Sequence, residues 1–164
     1  MNKPVPRFQE ILLLTGQLNY TWTNTESLLI YLIAGLAQVD KETAIVIFLT
    51  LNTTRARIEL VERLTKLRKT PPECRREILA VTEKMTQEAK LRNKYSHCIY
   101  SFDGEGISGS TQLMRIFDTK NEIRYGKIEE INGKEIKKIT DCIENLIGIN
   151  KQIWKLIKDY SYPC

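Results

Sequence analysis

An all-α fold is predicted for this chain: a bundle of four to five helices with a small β-hairpin inserted before the last one. Three observations predict it. Apolar residues recur at helical spacing through most of the 164 residues. Prolines and capping residues fall between those periodic stretches. One segment, about 111–128, breaks the rhythm with two short β-prone runs around a polar turn. The length fits a single domain, 1–164, that can bury a core without disulfides or metal.

The elements follow in order. Pro6 sits where a first helical turn tolerates proline. From residue 7 to 38, Phe8, Ile11, Leu12, Leu18, Trp22, Leu29, Leu32, Ile33 and Leu36 mark one long helix, with Gly16 the place for a kink. Asp40 reads as the cap of a helix over 41–51. Its run Ala44-Ile-Val-Ile-Phe-Leu49 is almost wholly apolar, so burial is expected, and its β-branched content leaves a strand open. Thr53 to Arg68 reads as a third helix with Ile58, Val61, Leu64 and Leu67 on one stripe. Thr70-Pro71-Pro72 ends it and opens a helix over 72–95 with Ile78, Val81, Met85 and Ala89 on its apolar face.

Beyond that point the character changes. Asp103–Ser110 reads as a flexible loop. Gln112–Phe117 and Glu122–Ile128 flank Asp118-Thr-Lys-Asn121, the spacing of a hairpin with a four-residue loop. Asn132 caps a last helix, about 133–160, with Ile136, Ile139, Ile143, Leu146, Ile153 and Ile157 on one seam. Asn150 interrupts that seam, either setting register against a partner helix or marking a solvated break.

Composition removes several classes. The longest apolar run, Leu28–Ala37, is about half of a membrane span. Ile11–Leu14 is too short for a signal-peptide core, so a non-exported, cytoplasmic protein without membrane partners is expected. Four scattered cysteines (74, 98, 142, 164) and one histidine form no metal-ligand spacing. Free thiols and no cofactor are expected.

The net charge of +5 is uneven. Residues 55–97 carry 12 basic and 6 acidic side chains, while 1–54 nets −1 and 98–164 nets zero. A surplus of this kind marks either a polyanion-binding face or a solvated helix face balanced by pairs such as Glu59–Arg63 and Glu62–Lys66.

At the end of that segment stands Arg92-Asn93-Lys94-Tyr95-Ser96-His97, which holds the single histidine. Asn93 and His97 are four apart and share a face if the helix extends that far. Arg92 lies in line with Met85 and Ala89, on the packing side. Glu26 shares a face with Trp22, Leu29 and Ile33, where a carboxylate needs a cation or strong hydrogen bonds. Arg92 is one candidate partner for it, and an exposed edge position is the other reading.

The R-N-x3-H run resembles the R-x4-6-H motif of the HEPN superfamily, all-helical domains of toxin–antitoxin and RNA-cleaving defence proteins. Trp22…Glu26 in a long first helix, the apolar second helix, and Leu91-Arg-Asn…His97 late in the chain resemble that layout in order. The resemblance implies a metal-independent endoribonuclease that acts on RNA at a homodimer cleft. In that scheme Arg92, Asn93 and His97 are catalytic, Lys90, Lys94 and Tyr95 flank the RNA path, and Glu26 gives structural support. For toxin members it implies an antitoxin protein as a further partner, a route that the next departure from the family pattern puts in doubt. Toxin members that are modified carry a tyrosine two residues after the histidine, whereas here residue 99 is Ile and Tyr100 follows one later. The chemistry suits the residue types: a histidine moves protons near neutral pH, and an arginine offers a permanent charged fork to phosphate. Three alternatives stay open. The domain could be a non-catalytic HEPN-like interaction or nucleic-acid-binding module. It could be an unrelated helical protein with an accidental motif. His97 could simply cap the end of its helix.

Overall fold

The computed structural model describes residues 6–164. It holds six helices, α1 (Arg7–Ser27), α2 (Leu29–Ala37), α3 (Lys41–Thr50), α4 (Thr54–Leu64), α5 (Pro72–Ser96) and α6 (Gly133–Asp159). Between α5 and α6 lie five strands, β1 (Cys98–Phe102), β2 (Gly109–Leu113), β3 (Ile116–Asp118), β4 (Ile123–Tyr125) and β5 (Ile128–Glu130). The fold is therefore mixed α/β, and this corrects the all-α expectation. The insertion runs from 98 to 130 and forms two antiparallel sheets, β1-β2-β5 and β3-β4. The expected hairpin is present as β3–β4, with Thr119 N–H closing its loop onto Glu122 O at 3.0 Å. The larger sheet escaped because β1 follows α5 with no glycine or proline between them. The expected single strand at 112–117 is split as well, at Met114-Arg115.

The chain divides into two compact units. One is formed by residues up to Tyr20 with Lys90–Ile143, the other by Thr21–Ala89 with Glu144–Cys164.

In the first unit, β1 pairs with β2 from Cys98↔Leu113 to Phe102↔Gly109, and β2 pairs with β5 from Ser110↔Glu130 to Gln112↔Ile128. Strand alternation turns Cys98, Tyr100 and Phe102 inward and Ile99 and Ser101 outward. Phe102 meets Phe8 edge to face, with centroids 5.3 Å apart. The 103–108 turn, expected to be flexible, is closed by the Asp103 carboxylate, which accepts from Ile107 and Ser108 N–H at 2.8 and 2.9 Å. Gly126 lets the chain cross beside β2: a Cβ there would sit 2.1 Å from Leu113 O.

In the second unit, the break in the expected 7–38 helix falls at Leu28 and not at Gly16. Leu28 keeps helical angles (φ −67, ψ −17), so the chain tightens for one step and continues into α2. That element buries Leu29, Leu32, Ile33, Ala34 and Leu36. It ends at Gln38 in the left-handed region, φ 60. Asp40 caps α3 by accepting from Thr43 N–H at 2.8 Å, and Thr53 caps α4 through Ala56 N–H at 3.1 Å. The α3 helix is less buried than expected: Ala44 and Phe48 point inward, while Val46 and Leu49 are exposed. An apolar run alone does not say whether neighbours cover all its sides. Leu146, Ile149, Ile153, Leu156 and Ile157 form the inward seam of α6. Asn150 donates to Thr25 Oγ1 at 3.3 Å, so the polar interruption is answered within the chain.

Candidate functional site

The R-N-x3-H segment lies in the first unit, where α5 passes into β1. His97 N–H bonds Asn93 O at 3.1 Å, so the helical turn extends through the histidine and sets Asn93 and His97 on one face. His97 O accepts from Met114 N–H at 3.1 Å. The histidine backbone is thus held on one side by α5 and on the other by the residue after β2. Its side chain is exposed. Arg92 is half-buried and donates from Nη1 to Asn93 Oδ1 at 3.0 Å. With Oδ1 so occupied, Asn93 faces a ligand as a donor through its amide nitrogen. Lys90 is exposed one turn earlier.

The next two residues behave differently. Tyr95 is 4% exposed, and its hydroxyl donates to the Glu135 carboxylate. Lys94 reaches Glu135 at 2.9 Å and Glu129 at 2.6 Å. Lys138 adds a third donor to Glu135 at 2.5 Å. Burial pushes the Glu135 carboxyl up, but the bonds from Lys138, Tyr95 and Lys94 outweigh it and hold it down at about 2. Burial and the Glu135 carboxylate push the Tyr95 hydroxyl up. Burial opposes the charge on Lys94, yet Glu129 and Glu135 raise it above its ordinary value. Tyr95 is therefore a strut of the fold and not an exposed surface on which a base could stack, which corrects its expected place on an RNA path. Lys94 is engaged by two carboxylates beside it.

Sequence reasoning missed Glu135, the centre of this network. Asn132 does cap α6, accepting from Lys134 and Glu135 N–H at 3.0 and 3.2 Å. The Asn132-x-x-Glu135 spacing is a capping-box signal, in which the glutamate would turn back to its own helix start. Here it turns to Tyr95 and Lys94 instead. Tyr100 also serves the framework: its hydroxyl donates to Tyr95 O at 2.7 Å.

Glu26 lies in the second unit and is 8% exposed. Its oxygens accept from Thr54 Oγ1 at 2.6 Å, Arg57 Nη1 at 3.2 Å and Trp22 Nε1 at 3.2 Å. The cation is Arg57, not Arg92. The same guanidinium reaches Phe48 O and Leu51 O through Nε at 3.1 and 3.0 Å, closing the end of α3. Through Thr54 and Arg57 this carboxylate ties the end of α1 to the start of α4.

Some of the basic side chains of 55–97 pair with glutamates of the same segment. Arg55 and Arg63 share Glu59, and Arg76 meets Glu73. Glu62 accepts from Thr82 rather than from Lys66. Cys74, Cys98 and Cys142 are buried thiols and Cys164 is exposed. No group of His, Cys, Asp and Glu among the described residues could hold a metal ion. No helix among them is long and apolar enough to cross a membrane. Comparison of the chain with protein-family models, curated proteins and solved structures gives no match.

Proposed function

We propose that the chain is a metal-independent endoribonuclease of the HEPN toxin or defence type, acting as a homodimer. One observation carries the reading: Arg92 and Asn93 are bonded to each other, and His97 stands exposed one turn on, on a backbone held from both sides. These are the groups that transesterification of RNA needs. His97 takes the proton of a 2′-hydroxyl, whose oxygen attacks the adjacent phosphorus. The 5′-oxygen leaves and takes a proton from water, so the ends are a 2′,3′-cyclic phosphate and a 5′-hydroxyl. Arg92 neutralises the phosphate in the transition state, and the Asn93 amide orients it. The exposed Lys90 lies beside the RNA path. An antitoxin partner belongs to the toxin form of this reading.

The test is incubation of purified protein and its His97→Ala variant with structured and single-stranded RNA in EDTA. Chelator-resistant cutting by the wild type alone, leaving cyclic phosphate ends, is the expected result. A second reading, a non-catalytic HEPN-like interaction or nucleic-acid-binding module, is favoured by one observation: Lys94 and Tyr95 are turned to Glu135. Dimers that leave RNA intact would select it.

A further inference from the structure

From Met114 to Tyr125 every residue is exposed, so neither face of the β3–β4 hairpin is covered. A free two-stranded hairpin is marginal in water. Its register divides the side chains by chemistry. Cross-strand partners share a face, so Phe117 stands with Arg124, and Ile116 stands with Tyr125 on the other side. Arg115 joins the first face: its guanidinium carbon lies 5.8 Å from the centre of the Phe117 ring. That ring belongs to a side chain left 48% exposed. Residues 115–127 carry four cations and two acids. Glu122 is engaged by Arg124, and Glu129, just beyond, by Lys94. Among the described residues no carboxylate pairs with Arg115, Lys120 or Lys127. The hairpin also starts at the candidate site, within the same compact unit. Met114 N–H donates to His97 O at 3.1 Å, and Phe117 follows three residues later, no more than about 11 Å of chain away.

We propose that this hairpin is a binding arm for single-stranded RNA, on which a base stacks against Phe117 while Arg115 and Arg124 hold the adjoining phosphates. It deepens the ribonuclease reading above and rests on it for the nucleic acid being RNA. A phenyl ring accepts the face of any base, and a guanidinium beside it meets phosphate with a permanent charge, so the pair holds a strand without reading its sequence. Only an unpaired strand can splay a base onto such a ring; in a duplex the bases are stacked on one another. Charge decides between the two faces. Alternation sets Asp118 with Ile116, Ile123 and Tyr125, a side with a carboxylate and no strand cation. The Phe117 side has two guanidinium groups. Arg124 must exchange Glu122 for a phosphate, whereas Arg115 has no acid to leave, so Arg115 is the stronger contact. The place of the arm sets its use: a strand whose reacting phosphate lies at His97 has its neighbouring nucleotides beside the hairpin, and cutting falls in unpaired regions.

The test is binding of the full chain to a fluorescent 2′-O-methyl RNA, single-stranded or paired with its complement, over a range of salt. The methyl group removes the attacking hydroxyl, so binding is read without cutting. The expected result is a preference for the single strand. Phe117→Ala should weaken that binding about tenfold or more and leave its salt slope unchanged, and Phe117→Tyr should restore it. Arg115→Ala should weaken it and lower the slope by about 0.7, the loss of one phosphate contact. Ile123→Thr, on the opposite face, should change neither. On cleavable RNA, Phe117→Ala should raise KM and leave kcat in place. Binding that is indifferent to Phe117 and Arg115, that is equally weakened by Ile123→Thr, or that favours the duplex overturns the arm alone and leaves the ribonuclease reading to the EDTA assay. Absence of binding overturns the arm as well. Binding that falls with Phe117→Ala in a protein that leaves ordinary RNA intact upholds the arm and removes the ribonuclease.

Discussion

The Tyr95 hydroxyl donates to the Glu135 carboxylate, and with it the end of α5 is tied to the first turn of α6. Lys94 and Lys138 complete the shell of that carboxylate. Lys94 and Tyr95 stand between Asn93 and His97 in the chain, so the network fixes the backbone that carries the proposed catalytic groups. Removing the carboxylate leaves a buried hydroxyl and a half-buried ammonium with fewer acceptors. Glu135→Ala is expected to cost about 3 kcal/mol, read as a fall in the urea midpoint. Tyr95→Phe removes one hydrogen bond and should cost about 1 kcal/mol.

The same carboxylate sets a pH dependence. Its folded value of about 2 lies below the ordinary glutamate value of 4.5. The native state therefore holds the proton less tightly than the unfolded chain. The stabilisation is complete above about pH 4.5 and is lost as the pH falls toward 2. Its size is on the order of 2–3 kcal/mol. Unfolding of wild type and Glu135→Gln across pH 2–5 checks the sign, the variant showing the shallower loss.

Arg57 and Glu26 form a part-buried ion pair, at 3.2 Å. Arg57 also lies over the Phe48 ring, 4.1 Å from its centroid, and bonds two carbonyls at the end of α3. A lysine cannot reproduce that planar fork. Arg57→Lys should be nearly as damaging as Arg57→Ala, at about 3 kcal/mol. A double-mutant cycle with Glu26→Gln should give a coupling of more than about 1 kcal/mol.

How far the sequence reached can be seen from these residues. Asp40, Thr53 and Asn132 were legible as caps, and Pro72 as a helix start, because capping depends on residues within one turn. That Asn93 and His97 share a face was legible for the same reason: helical spacing alone sets one beside the other. Leu28 was not, since no glycine or proline marks the break. β1 was not, since Cys98-Ile-Tyr-Ser-Phe102 continues straight from the helix before it. The roles of Tyr95, Glu135 and Arg57 were not legible either. Each is decided by partners 31 to 41 residues away, and a periodic pattern carries no information about such meetings.

Two glycines make a test of packing against propensity. Both lie inside helices, Gly35 in α2 and Gly148 in α6. A Cβ on Gly148 would meet nothing within 4 Å, so Gly148→Ala should stabilise by about 0.5–1 kcal/mol through helix propensity. A Cβ on Gly35 would lie 2.1 Å from the Tyr162 ring. That ring is held in place by its hydroxyl, 3.1 Å from Cys74 Sγ. Gly35→Ala must therefore displace the tyrosine and should destabilise by about 1–3 kcal/mol. Melting temperatures that move in opposite directions for the same substitution would bear this out.

The last expectation separates catalysis from folding. His97 and Asn93 are exposed and Arg92 is half-buried, so truncating the first two should leave the melting temperature unchanged within about 0.5 kcal/mol of stability. If His97 moves the proton and Arg92 stabilises the phosphate, His97→Ala and Arg92→Ala should each lower cutting of RNA by about a hundredfold or more. Arg92→Lys keeps the charge but loses the fork and the bond to Asn93, so it should recover only part of the rate. Asn93→Ala should reduce the rate less than either, because it orients and does not react. Equal losses in all variants together with lowered melting temperatures would instead make the triplet a structural corner, and the ribonuclease reading would fail.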